Sequence, residues 1–263
     1  MAQLNGPYGL GVILYTFLNR IETNSPYYIV AKYILTHMED LHDVAIKDLA
    51  AKTHVSTATI SRFCKEIGLQ SFAELRNLIN DHKRATEPRY DFQNTEDSNS
   101  LADSYLSAVQ RDIDSLKSTL DLNKLNSLVD DIYHYQNVVT FGAMHMETIS
   151  LMLQNNLFRC KKIIETRLTP NKQIDFVEDS QEDLLVIIFS LSGNYVREYI
   201  STITRKEHLK IYVITMNEEV AKLRYVQETI LLPDNANSFS AHPVDSLLLV
   251  QLITLIYYQK YVQ

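Results

Sequence analysis

Cysteine is scarce in this chain: only Cys64 and Cys160 occur among 263 residues. Two thiols supply neither a disulfide framework nor a metal cluster, and they suit a reducing compartment. The histidines are scattered without metal-ligand spacing, so no metal and no other cofactor is expected. Long apolar runs are also missing. Leu10–Leu18 is apolar but far too short to span a bilayer. No basic segment precedes it and no small-residue cleavage site marks a leader, so the expected setting is the cytoplasm, with no membrane partner. An excess of positive charge is absent as well. The net charge of -7 excludes a protein that coats nucleic acid or anionic lipid over its whole surface. No internal repeat and no low-complexity tract is present.

What remains is an ordinary globular composition, 46% hydrophobic and 22% charged, in a chain long enough for two cores. The charge is uneven. Residues 1–85 carry nine Lys/Arg against eight Asp/Glu, whereas residues 86–100 carry one against four. Helical spacing predicts helices over 12–23 (Leu14, Phe17, Leu18, Ile21) and 26–38, the latter with Ile29, Val30, Tyr33, Ile34 and Met38 on one face. Ser25 reads as its N-cap and Pro26 as its first residue. Further helices are expected at 45–53, 57–67 and 71–84, giving a five-helix domain over 1–85. Residues 86–100, TEPRYDFQNTEDSNS, have no apolar periodicity and read as a linker. Residues 101–263 read as the second domain. Two amphipathic helices follow the linker, and after Asn137 short β-rich runs appear at 137–141, 160–164, 184–190, 210–215 and 228–232. Helix-length segments separate most of these runs, and an apolar helix closes the chain over 243–261. Strands alternating with helices predict a doubly wound, mostly parallel five-stranded sheet.

Ala45–Gly68, AIKDLAAKTHVSTATISRFCKEIG, reads as two short helices joined by a tight turn. Ala50 is small where the second helix crosses, Val55 plugs the turn, and Ile60 and Phe63 anchor the second helix inward. His54 occupies the turn position that needs a left-handed backbone. Ser56 caps the second helix and leaves Thr57, Thr59, Ser61, Arg62 and Lys65 outward. Short hydroxyls let such a helix sit deep in the major groove, and an arginine reaches a guanine or a phosphate. These six residues are the expected DNA-binding set, and double-stranded DNA is the expected partner. Cys64 is expected to be a packed thiol.

Ser25–Asn80 resembles the N-terminal domain of the RpiR (MurR/RpiR) family of bacterial transcriptional regulators. The resemblance is carried most specifically by VSTATISRFCKEIGLQSFAEL (Val55–Leu75) and IKDLAA (Ile46–Ala51). It implies a C-terminal SIS (sugar isomerase) domain, a doubly wound fold that binds phosphosugars, and a small-molecule effector that adjusts operator binding by a homodimer or tetramer.

After residue 100 the chain has only two glycines, Gly142 and Gly193, each placed at a strand end. Ligands of doubly wound sheets bind beyond the carboxyl ends of strands. SLSGNY (Ser190–Tyr195) resembles the SIS signature Ser-x-Ser-Gly-x-Thr, with Tyr195 in place of threonine. FGAMHME (Phe141–Glu147) corresponds to a segment usually reading Gly-x-Gly-x-Ser, and only Gly142 matches. The expected effector set is therefore Gly142, Ala143, Met144, His145, Ser190, Ser192, Gly193, Asn194 and Tyr195. Two other readings stand beside this one. In the first, the pocket is vestigial and the regulator needs no ligand. In the second, the chain is a phosphosugar isomerase with Glu147, His145 or His242 as its base; a DNA reader has no use in such an enzyme, and no catalytic residue is expected.

Overall fold

The computed structural model describes residues 9–82, 97–142, 145–167, 170–198, 200–203, 206–233 and 242–263. The chain divides into two compact units, Met1–Pro88 and Arg89–Gln263. Most of the 86–100 linker lies outside the described residues.

The first unit is all-helical: α1 (Gly9–Leu18), α2 (Pro26–Thr36), α3 (Ile46–Lys52), α4 (Thr57–Glu66) and α5 (Phe72–His82), with a 3-10 turn at Met38–Asp40. α1 ends earlier than its apolar spacing suggested, because Arg20 N–H bonds back to Phe17 O and turns the chain. Ser25 caps α2 by accepting from Tyr27 N–H, with Pro26 at the first position. The buried face of α2 is Val30, Ala31 and Ile34, followed by Met38 beyond the helix; Ile29, expected inside, is 47% exposed. The displaced row, Ile29 and Tyr33, runs along the flank of the helix, where Tyr33 stacks on His37. The core gathers Leu14, Ile34, Leu49, Ile60, Phe63 and Leu75, all fully buried. Phe63 of α4 packs edge-on against Phe17 at 5.6 Å.

The second unit opens with α6 (Ser98–Thr119), capped by Asp97, and α7 (Leu122–His134), capped by Asp121. The rest alternates: β1 (Asn137–Gly142), α8 (His145–Arg159), β2 (Glu165–Thr166), α9 (Pro170–Asp179), β3 (Leu184–Phe189), α10 (Asn194–Glu198), β4 (Leu209–Thr215), β5 (Glu228–Leu231) and α11 (His242–Tyr261). Short 3-10 turns at Ile200–Thr202 and Glu218–Lys222 complete it. The five strands are all parallel in the order β2-β1-β3-β4-β5. β3 is buried at every position, as a central strand covered on both faces must be.

One strand differs from expectation. Residues 160–164 do not form β2, which lies at Glu165–Thr166. Cys160–Lys162 instead close α8: Lys161 N–H bonds Phe158 O and Lys162 N–H bonds Leu157 O, with Lys161 at φ 61. That pair of bonds is a Schellman helix end, and it uses up backbone that a strand would need.

Strand alternation sends Val138, Leu185, Ile187, Phe189, Tyr212 and Ile214 into one large core shared with α7, α8 and α11. Phe141 points to the other face, where its ring meets Phe176 of α9 edge-on. The chain passes from β1 outward to β2 and then returns across β1 to β3. The carboxyl ends of β1 and β3 therefore flank the point where the winding reverses, the place a doubly wound sheet offers for a ligand.

Candidate functional sites

The turn between α3 and α4 is built by the same helix-ending device. His54 N–H bonds Ala51 O, Val55 N–H bonds Ala50 O, and His54 takes φ 54. The left-handed position expected of His54 is present, and Val55 follows it half-buried, as the apolar residue after such a cap should be. Ala50 is 5% exposed beneath the crossing helix. Ser56 Oγ accepts from Thr59 N–H at 3.0 Å and so caps α4.

On α4, Ile60, Phe63 and Cys64 are buried, and Thr57, Ser61, Arg62 and Lys65 are exposed. Thr59 is half-buried, with its hydroxyl 2.9 Å from that of Ser56, so it serves the cap before it serves a partner. Ser61 Oγ and Arg62 Nε are turned back onto the carbonyls of Thr57 and Ala58, at 3.1 and 3.4 Å. Both are exposed interactions that water or a phosphate can replace. Ala58, which sequence reasoning passed over, is exposed beside them; its small side chain lets the helix approach another surface closely. Cys64 is fully buried, and burial pushes its thiol up to about 12, so it is a packed side chain.

These observations agree with the comparison to known families. Residues 26–84 match the helix-turn-helix domain of the rpiR family. The rpiR-type reader thus spans α2 through α5 and is joined to the α/β unit already described. Vibrio vulnificus NanR, solved in complex with ManNAc-6P, is similar over 96% of this chain and 92% of its own, at 20% identity and a TM-score of 0.52. The sugar isomerase domain of an RpiR transcription factor from Sphaerobacter thermophilus is similar over 59% of this chain and 89% of its own, at 13% identity and a TM-score of 0.50. An E. coli protein solved as a ligand complex is similar over 64% of this chain and 95% of its own, at 14% identity and a TM-score of 0.52. At these identities the likeness is one of fold: the second unit has the SIS architecture.

At the switch point, β1 ends on Gly142, where a Cβ would lie 2.3 Å from Met146 O. Glycine is required there because α8 leaves the strand with no room for a side chain. Across from it, Gly193 takes φ 78 in the turn after β3, and a Cβ would meet Val220 Cγ2 at 2.5 Å. That turn is held from β4: Thr215 Oγ1 donates to Leu191 O at 2.9 Å, and Asn217 Nδ2 donates to Ser192 O at 2.9 Å.

The expected effector residues divide unequally. Ser190 is 4% exposed, and its Oγ has no hydrogen-bond partner among the described residues. Ser192 is exposed, and its hydroxyl accepts from Asn194 N–H at 3.3 Å, while Asn194 itself faces outward. Ala143 and Met144 lie outside the described residues; His145 opens α8, and nothing is described of its side chain. Tyr195 is turned inward, 7% exposed, and its hydroxyl donates to Gln173 Oε1.

Gln173 escaped sequence reasoning, yet it is fully buried and central. Its amide donates to Gly142 O at 3.2 Å and to Arg167 O at 2.6 Å. A glutamine inside an amphipathic helix gives no signal of its own, because what matters is the set of carbonyls the fold brings to it. Glu218 and Glu219 begin the 3-10 turn after β4, and Glu219 is bonded to Lys222 at 2.6 Å. That bond holds its carboxyl below the usual range. No group of three His, Cys, Asp or Glu is placed to hold a metal among the described residues. No helix among them is long and apolar enough to cross a membrane.

Proposed function

We propose that the protein is a DNA-binding transcriptional regulator whose affinity for an operator is adjusted by a small metabolite of the phosphosugar class. Residues 1–85 act as the reader, 86–100 as a linker, and 101–263 as the effector-binding and pairing domain of a cytoplasmic homodimer or tetramer. Thr57, Ser61, Arg62 and Lys65 meet the major groove and its phosphates, with Ser56 and Thr59 holding the helix end that enters it. The observation that carries the reading is the joining, in one chain, of an rpiR-type reader with an exposed polar α4 face to an SIS-fold crevice containing a buried Ser190 hydroxyl that has no partner among the described residues. One reader covers few base pairs, so a pair of them on a palindromic or repeated site is the economical arrangement. Effector control then requires the ligand to favour one arrangement of the two readers.

The test is genome-wide recovery of bound DNA, followed by gel-shift titration of the recovered operator with and without a phosphosugar panel. Release or tightening by one sugar phosphate is the expected outcome; operator binding indifferent to the whole panel removes effector control. A specific observation keeps a second reading alongside. Tyr195 lies in the crevice with its hydroxyl already engaged, which favours a ligand-independent regulator with a vestigial pocket. Catalysis is not part of the proposal, and turnover of an aldose or ketose phosphate at high protein concentration would overturn that exclusion.

A further inference from the structure

Tyr195 stands where a small hydroxyl residue would complete the Ser-x-Ser-Gly-x-Thr pattern, and its phenol is directed inward rather than to solvent. Gly142 and Phe189 are register partners on adjacent strands, so Ser190 sits one residue beyond the neighbour of Gly142. Alternation places Ser190 on the α9 side of the sheet, opposite to Phe189. Gln173 of α9 grips Gly142 O with its amide and receives the Tyr195 hydroxyl on its Oε1. The path Gly142–Gln173–Tyr195 therefore crosses the crevice from the end of β1 to the first turn of α10. It closes on Ser190 through the Gly193 N–H, which donates to Ser190 O at 3.0 Å. On that same side of the sheet, the Ser190 hydroxyl is buried without a partner among the described residues. Buried hydroxyls are normally satisfied, so an orphan at a strand end is a place prepared for a ligand group or a bound water.

We infer that Tyr195 is a gate over the Ser190 hydroxyl and Gln173 its catch: an anionic group such as a phosphate reaches Ser190 only when the Tyr195 side chain leaves the crevice and releases Gln173. The inference rests on the reading of this crevice as the effector site and adds how access to it is controlled. A closed resting state lowers apparent affinity in proportion to the closed population. Opening also frees Gln173 from its bond to Tyr195, while its amide bonds still fix the end of β1 and the chain at Arg167. Entry of the ligand is thereby felt in α9 and α10 together.

The experiment uses the full chain, with inorganic phosphate and glucose 6-phosphate as probes in calorimetry, and amide exchange over residues 190–198 as a readout that needs no ligand. Tyr195→Thr removes the gate and restores a small hydroxyl; phosphate affinity is expected to rise about tenfold, the equivalent of ~1.4 kcal/mol of opening free energy. Tyr195→Phe keeps the ring and removes the catch, so amide exchange over 190–198 should quicken while the melt stays cooperative. Phosphate bound no more tightly by folded Tyr195→Thr than by the parent chain overturns the gate. So does unchanged exchange in Tyr195→Phe, which also decides the matter if the threonine variant fails to fold. Operator binding without ligand is measured on the same proteins. If the parent chain binds no operator, the regulator reading fails while the phosphate titration still judges the gate.

Discussion

Arg62 and Ser56 act on α4 in different ways, and substitutions separate them. Arg62 is exposed, its guanidinium bonded back to its own helix, so Arg62→Ala should leave the melting temperature near that of the parent chain. If it makes a bidentate base contact, specific DNA binding should weaken by about 1–3 kcal/mol in a gel-shift titration. Unchanged binding would remove it from the interface. Ser56 is the N-cap, so Ser56→Ala should cost the fold about 0.5–2 kcal/mol, read from a denaturant midpoint.

Asp245 is a further single-residue case. It is 4% exposed near the start of α11, with Oδ1 unpartnered among the described residues, and burial together with the nearby Asp112 carboxylate raises its pKa from 3.8 to about 6. Below pH 3.8 the group is neutral whether folded or unfolded. Between that and about 6 only the unfolded chain ionises, so the stability this group lends is lost as pH rises through that window. Asp245→Asn cannot ionise. Chemical unfolding at pH 4 and pH 7 should show the variant gaining on the parent chain by on the order of 2 kcal/mol at the higher pH.

At the scale of elements, three helix ends decide the local geometry. Each places a residue in the left-handed region: His54 after α3, Gly68 after α4 and Lys161 after α8. Only the glycine was an obvious helix terminator. Lys161 was unreadable as one because lysine has no preference for that backbone, and its role comes from Leu157 and Phe158 offering carbonyls at the end of α8. The turn after β3 is similarly tight. Gly193→Ala combines an unfavourable φ with a Cβ driven into Val220, so it should destabilise the chain by about 1 kcal/mol or more and disturb the loop carrying Ser190 and Ser192. A thermal melt and the amide exchange of 190–198 report the two effects separately.

For the whole molecule, the near balance of charge over residues 1–85 bears on how the protein would hold DNA. Affinity for the phosphate backbone grows with the number of cations brought to it, and one reader of this kind supplies few. Two readers on one operator should therefore show a slope of log affinity against log salt about twice that of a single half-site. Equal slopes on a full operator and on an isolated half-site would argue against paired reading.

The sequence by itself determined the kinds and order of the elements, because those rest on local chemistry. Capping at Ser25 and Ser56, the 3.6-residue spacing in the first unit and the continuous apolar run of β3 are all readable along the chain. The same local logic marked Ala50, His54 and Val55 as a helix-turn-helix junction. Tertiary structure alone decided which neighbours the polar side chains meet. That Ile29 faces solvent, that 160–162 end a helix instead of starting a strand, and that Tyr195 folds inward all depend on how the chain packs rather than on local spacing. Gln173 is the plainest case: it is anonymous in the sequence and fully buried in the fold, where its hydrogen bonds to Gly142, Arg167 and Tyr195 need three segments that only the closed sheet brings together.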